Sequence, residues 1–134
     1  MIAFIDTNLI LRFVLGDHPT LSPKAKDIIS QIESKKIKAY LPEVVVAEVV
    51  YVLTKFYKYS RDDASAKILP ILSIDNLKLD YKEIYPQAFK LFVSKNISFV
   101  DSYSLALMGF KGVRHIYSFD KDFDRFNWVK RLED

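Results

Sequence analysis

Apolar and polar positions alternate along the chain in a way that separates short strands from longer helices. Ile2 to Ile5 is an unbroken apolar run that stops at Asp6-Thr7-Asn8. Such a run predicts a strand buried on both faces, as in a parallel sheet. Asn8 to Leu15 is apolar except at Asn8 and Arg12, which predicts a buried helix. Gly16-Asp17-His18-Pro19 reads as a loop. Ser22-Pro23 has the form of a helix start, with Ala25, Ile28, Ile29 and Ile32 following at helical spacing. Ile37 to Leu41 predicts a short strand. From Pro42 to Tyr57 the valines favour a strand by propensity, but the length of the segment favours a helix. We read it as a buried helix.

Ser60 predicts a capped helix with Ala64, Ile68 and Leu72 inward and Pro70 as a kink or early stop. Leu77 to Leu79 is a brief strand, and Ala88, Leu91 and Phe92 mark a further helix. Ser98-Phe99-Val100-Asp101 matches a capping box for a helix ending near Gly109. His115 to Phe119 predicts a strand, and Trp128 to Leu132 an edge strand. Strands alternating with helices imply an α/β fold around a parallel sheet with right-handed crossovers.

The 134 residues carry no repeat or linker, so residues 1–134 read as one domain. Hydrophobic residues make up 50% of the chain, enough to exclude disorder. Cysteine is absent, which removes disulfides, thiolate metal sites and a cysteine nucleophile. The glycines are Gly16, Gly109 and Gly112, too scattered for a glycine-rich phosphate loop. His18 and His115 are too far apart in sequence for a helical zinc motif. Carboxylates remain as the reactive groups: 17 Asp and Glu against 20 Lys and Arg, for a net charge of +3. No basic stretch precedes the first apolar run, and Asp6 interrupts it, unlike a signal peptide. No apolar run approaches membrane-spanning length. The expectation is a cytoplasmic protein with no membrane partner.

Among the acids, Asp6 and Asp120 follow strands, where open α/β sheets place their sites. Asp101 stands at a helix start, and Glu48 has Val44, Val45, Val49 and Val52 as its helical neighbours. An ionised carboxylate in apolar surroundings is costly unless it is paired or metal-bound. Each acid also has a structural reading: Asp6 and Asp101 as helix caps, Asp120 as loop polarity, Glu48 as the partner of Arg12. Asp120-Lys121-Asp122-Phe123-Asp124 opens like a calcium loop, but its sixth and twelfth positions hold Arg125 and Arg131. An EF-hand needs glycine and glutamate there and is excluded. A receiver-like phosphoacceptor needs paired acids after the first strand, where Thr7-Asn8 follow Asp6.

Taken together, four segments carry a resemblance. Phe4-Ile5-Asp6-Thr7-Asn8 resembles the opening of PIN domains, especially the VapC-type toxin ribonucleases. Pro42 to Leu53 resembles that family's second motif, with Glu48 as its acid. Ser98-Phe99-Val100-Asp101-Ser102 resembles the third, and Tyr117-Ser118-Phe119-Asp120-Lys121-Asp122-Phe123 the fourth. Each motif is short; their order and separations over nearly the whole chain make the resemblance specific.

The resemblance implies a PIN-like three-layer α/β/α sandwich with a central parallel sheet of four to five strands. It implies a Mg²⁺- or Mn²⁺-dependent endoribonuclease, homodimeric and held inactive by a cognate antitoxin, leaving a 5′-phosphate and a 3′-hydroxyl. A housekeeping PIN nuclease for RNA processing and a non-cleaving RNA- or protein-binding module are the alternatives.

Elementary electrostatics points the same way. Carboxylates sharing one pocket stay ionised only around a cation, and all-oxygen ligation selects Mg²⁺ or Mn²⁺. Such an ion activates water and stabilises charge on an attacked phosphate. Asp6, Glu48, Asp101 and Asp120 are the expected catalytic and metal-binding set, with Asp122 as a further ligand and Asp124 in reserve. Thr7, Asn8, Ser102 and Ser118 are expected to fix these carboxylates by hydrogen bonds. Arg12, Lys24 and Lys55 are expected to contact RNA, with Arg12 alternatively snorkelling or pairing with Glu48. Tyr51, Phe56 and Tyr57 are candidates for base stacking or for a dimer interface.

Overall fold

The helix ends show how local chemistry sets the elements. In the computed structural model, which describes residues 1–134, β1 (Ile2–Phe4) leads into α1 (Thr7–Leu15). Asp6 has extended backbone and caps α1, its Oδ1 accepting from the Leu9 N–H at 3.1 Å. Gly16, at φ 62, closes the helix by donating its N–H to the Arg12 carbonyl. α2 (Leu21–Glu33) begins just before the expected Ser22. The imidazole of His18 serves this end instead, its Nδ1 accepting from the N–H groups of Thr20 and Leu21 at 3.2 and 2.9 Å. Ser22 turns inward and donates to the Arg12 carbonyl at 2.7 Å, tying α2 to α1.

The chain continues through β2 (Lys38–Tyr40), α3 (Glu43–Lys55), α4 (Arg61–Leu72) and β3 (Leu77–Lys78). The valine-rich segment is helical, as its length demands. Ser60 caps α4 by accepting from the Asp63 N–H at 3.0 Å. Pro70 does not stop α4, which runs on to Leu72. A 3₁₀ turn (Lys82–Ile84) passes directly into α5 (Tyr85–Lys95), followed by α6 (Phe99–Lys111). α6 continues past Gly109 and ends at Gly112, which has φ 70. β4 (His115–Tyr117), a 3₁₀ turn (Lys121–Arg125) and β5 (Lys130–Leu132) complete the chain.

Lys35 follows α2 at φ 65, a left-handed conformation that favours glycine. Beyond it, the N–H groups of Lys36 and Ile37 both return to the Gln31 carbonyl, so the turn is held. Lys35→Gly is therefore expected to stabilise the fold by about 0.5 kcal/mol, relief of strain exceeding the added unfolded-state entropy. Thermal unfolding checks it as a rise of about 2 °C.

All strand pairs are parallel, but hydrogen bonding joins them as β1-β2-β3 and, separately, β4-β5. The single sheet of four to five strands is thus divided between β1 and β4. Within the larger sheet, Ala3, Ala39 and Leu77 lie side by side, and Ala39 and Leu77 are fully buried. Ile2, Phe4, Lys38, Tyr40 and Lys78 alternate onto the opposite face, where Phe4 is 73% exposed. This corrects the reading of Ile2 to Ile5 as a strand buried on both faces: Ile5 alone of the run is buried.

The main core draws Ile10, Ile29, Val49, Leu53, Ile68, Phe89 and Phe99 from all six helices around the inner face of the sheet. A smaller cluster of Ile97, Leu105, Phe123 and Phe126 packs with Ile116 and Trp128 near β4 and β5. α6 feeds both clusters, with Phe99 and Ala106 in the first and Leu105 in the second. It thereby joins the C-terminal strands to the remainder. No helix is long and apolar enough to cross a membrane.

Candidate active site

The cap that starts α1 also presents the first acid. Asp6 is exposed beyond the carboxyl end of β1, and the next residue, Thr7, donates its hydroxyl to Glu48 Oε2 at 2.7 Å. This bond ties the first turn of α1 to the middle of α3. Glu48 is exposed, which corrects its reading as a carboxylate in an apolar environment. Val46, Val49, Val50 and Leu53 form the inward stripe of α3, and Glu48 falls outside it. Arg12 does not pair with Glu48. Its guanidinium lies 3.4 Å from Asp17 Oδ1 and donates to the Tyr57 hydroxyl at 3.4 Å. Asp6, Asn8, Arg12 and Glu48 line one open cleft of about 650 Å³.

A second cleft, of about 620 Å³, holds the other acids: Asp101, Asp120 and Asp122, with Lys55 and Arg61 also on its walls. Ser98 caps α6 by accepting from the Asp101 N–H at 3.1 Å, which orients the first turn. Burial, and then the negative charge of Asp120, push the Asp101 carboxyl above the ordinary carboxylate range. Asp122 adds to this more weakly, and hydrogen bonding with Ser98 acts in the opposite direction. Asp120 caps the following 3₁₀ turn, its Oδ1 accepting from the Asp122 N–H at 2.8 Å. Asp124 is engaged elsewhere, 3.0 Å from Arg131 Nε, and does not line this cleft.

Of the hydroxyl and amide side chains expected to fix carboxylates, Thr7 donates to one. Ser102 is fully buried and donates to the Ser98 carbonyl at 2.9 Å, bracing the helix start instead. Ser118 accepts from the Asp120 N–H at 3.0 Å, so it sets the backbone of Asp120 and not its carboxylate. Lys24 lies in a separate groove with Asn8, Leu9 and Arg12.

The acids stand in two clefts, Asp6 and Glu48 in one and Asp101, Asp120 and Asp122 in the other. The physical reason is the sheet: Asp6 follows β1 and Asp120 follows β4, and these strands are not hydrogen-bonded neighbours. The donors themselves suit a hard divalent cation, since all are carboxylate oxygens. The repulsion that Asp120 and Asp122 exert on Asp101 is what such a cation relieves.

Two contributors carry little or no local sequence signal. Arg61 donates to the carbonyls of Phe92 and Ile97 at 2.7 and 2.6 Å and lies 4.2 Å over the Phe92 ring. Its partners are more than thirty residues away, so no short motif marks it. The acceptor role of His18 likewise depends on a turn conformation that composition does not specify.

Carboxylates placed beyond parallel strands and at helix starts stand where open α/β sheets form their sites. The PIN domain family model matches residues 3–129, and the chain belongs to that family. A VapC ribonuclease of Aquifex aeolicus is 24% identical over 124 residues, covering 92% of this chain and 91% of its own. The crystal structure of Mycobacterium tuberculosis VapC20, a toxin that cleaves the sarcin-ricin loop, shows 22% identity and a TM-score of 0.41. That comparison covers 96% of this chain and 97% of VapC20.

Proposed function

We propose that this protein is a Mg²⁺- or Mn²⁺-dependent endoribonuclease of the VapC type, acting in the cytoplasm as the toxin of a toxin–antitoxin pair. The observation that carries this reading is the family match, which spans all four acids, from Asp6 through Glu48 and Asp101 to Asp120. Asp101, Asp120 and Asp122 would hold the cation from one cleft, and Asp6 and Glu48 from the other. When bound, the ion supplies water activation and charge stabilisation at the phosphate. Thr7 fixes the Glu48 carboxylate at the start of α1, next in sequence to Asp6, through its hydrogen bond. Ser98 and Ser118 set the backbone from which Asp101 and Asp120 project. Arg12, Lys24 and Lys55 supply positive charge for the RNA backbone beside these acids. The partners are RNA, a second copy of the chain and a cognate antitoxin.

Single-stranded RNA cleavage tests the reading. The expected result is cleavage with Mg²⁺ or Mn²⁺ and its loss in EDTA, restored when metal is returned. Uncut RNA over a wide range of sequences and metal concentrations would favour a non-cleaving module. A small adjacent open reading frame with a DNA-binding N-terminus separates the toxin from a housekeeping RNA-processing nuclease.

A further inference from the structure

The cleft that holds Asp6 and Glu48 has an aromatic wall to which the hydrolytic chemistry assigns no task. Val45, Val52, Phe56 and Tyr57 line it together with Arg12. Phe56 is 75% exposed and Tyr57 42%, although both follow directly from the buried stripe of α3. Their position is held by the backbone. The Tyr57 N–H donates to the Val52 carbonyl at 3.2 Å, and the Tyr59 N–H to the Leu53 carbonyl at 3.0 Å. Lys58 between them has φ 58, a left-handed conformation that lysine adopts at a cost. The two rings are thus presented to solvent by a closed, strained turn and not by a loose end.

Arg12 makes the wall selective for an anion. Its guanidinium is steadied between Asp17 and the Tyr57 hydroxyl, each at 3.4 Å, the outer limit of hydrogen bonding. A guanidinium has five N–H donors, so several remain for a ligand. The side chain is 22% exposed, which leaves it reachable from the cleft. Lys55 and Lys58 flank the aromatic pair in sequence and add positive charge. An exposed ring beside a fixed guanidinium matches a planar base joined to a phosphate. A volume of about 650 Å³ lies within the range of small-ligand sites.

We propose that this wall is a nucleobase subsite, in which Phe56 stacks on a base of single-stranded RNA and Arg12, steadied by Tyr57, pairs with the adjoining phosphate. The choice of RNA as ligand rests on the ribonuclease reading; the subsite itself rests on the rings and the guanidinium. Stacking of this kind tolerates every base, so the subsite grips the strand without selecting its sequence.

The test is RNA binding without cutting: fluorescence anisotropy of a labelled single-stranded oligonucleotide in EDTA. Phe56→Ala is expected to weaken binding about tenfold, and Phe56→Trp to retain it. The thermal midpoint of Phe56→Ala should match that of the wild type, since the ring is exposed. Moving one abasic residue along the oligonucleotide should weaken wild-type binding at one position. Phe56→Ala should be insensitive to the abasic residue there. Arg12→Gln should lower the salt dependence of binding by about one phosphate contact.

Equal affinity of wild type and Phe56→Ala overturns the proposal, as does an abasic effect that is the same in both. Unchanged RNA affinity with a lowered sedimentation coefficient assigns Phe56 to an interface between copies, and this too overturns it. The two readings separate cleanly. Position-specific coupling to Phe56 in a protein that cuts no RNA supports the subsite and defeats the nuclease. Metal-dependent cleavage with no such coupling defeats the subsite alone.

Discussion

Asp101→Asn is expected to lower RNA cleavage by about 10³-fold while leaving the metal-free protein slightly more stable. The loss follows from removing one carboxylate from the set that would hold the cation. Cation stabilisation of phosphate charge is worth several kcal/mol, and about 4 kcal/mol is a thousandfold in rate. The gain in stability follows from the raised pKa of Asp101, caused first by burial and then by Asp120. A carboxyl raised on folding contributes stability at low pH that is lost as pH rises through its folded pKa. At neutral pH its charge therefore works against the fold, and a neutral amide relieves that strain. Solvent screening and the lost attraction of Asp101 to the start of α6 limit the gain to about 0.5 kcal/mol. The Ser98 cap survives, because it receives the backbone N–H of Asp101. Paired cleavage and thermal unfolding in EDTA check both halves. Full activity would remove Asp101 from the site, and a clear loss of stability would make it chiefly a helix cap. Asp6→Asn, in the other cleft, should abolish cleavage equally if both groups of acids serve one reaction.

Arg61→Ala is expected to be the most damaging substitution outside the apolar core, at about 3 kcal/mol. The side chain bridges the carbonyls of Phe92 and Ile97 and lies over the Phe92 ring. Phe92 and Ile97 are both buried, so their carbonyls are poorly placed to find water once the guanidinium is gone. Hydrogen bonds from a charged donor contribute about 1.5–3 kcal/mol each, and a lost cation–π contact adds to that. Burial lowers the Arg61 pKa from its usual value, yet guanidinium remains charged, so its bonds persist at all working pH. Arg61→Lys should recover only part of the loss, because an ammonium lacks the planar face that lies on Phe92. Urea unfolding gives the magnitude as a shift in midpoint at constant slope. The segment that Arg61 holds, between α5 and α6, ends at Ser98, the cap from which Asp101 projects. The same variant should therefore lose activity beyond what its lower stability explains.

Much of the fold is legible in local sequence. Ser60 and Ser98 cap the helices they precede because a hydroxyl beside a helix start has an unpaired N–H within reach. Each valine of α3 favours a strand taken singly. The length of the run and the inward spacing of Val46, Val49, Val50 and Leu53 decide for a helix. The carboxyl-end positions of Asp6 and Asp120 were likewise readable, since an acid just after an apolar run needs only local order to be placed.

What remained beyond reach depends on distant parts of the chain. Ile2 and Phe4 look like core in sequence, yet they face outward, because hydrophobicity does not say which face of a strand will be covered. Glu48 looks enclosed by valines, but Val44, one turn back on its own face, is itself exposed, and of the four only Val49 turns into the core. Arg61 could not be foreseen, since the carbonyls it serves come from the last turn of α5 and from the loop after it. By itself, then, the sequence determined the order of strands and helices, their caps, and the identity of the acids, all matters of neighbours within a few residues. Only the tertiary structure decided which acids share a cleft and which cation stands beside which ring. Those relations depend on the pairing of β1 and β4 with other strands and on the packing of α3, α4 and α6. They are set by long-range contacts, each too weak alone to leave a mark in a short stretch of chain.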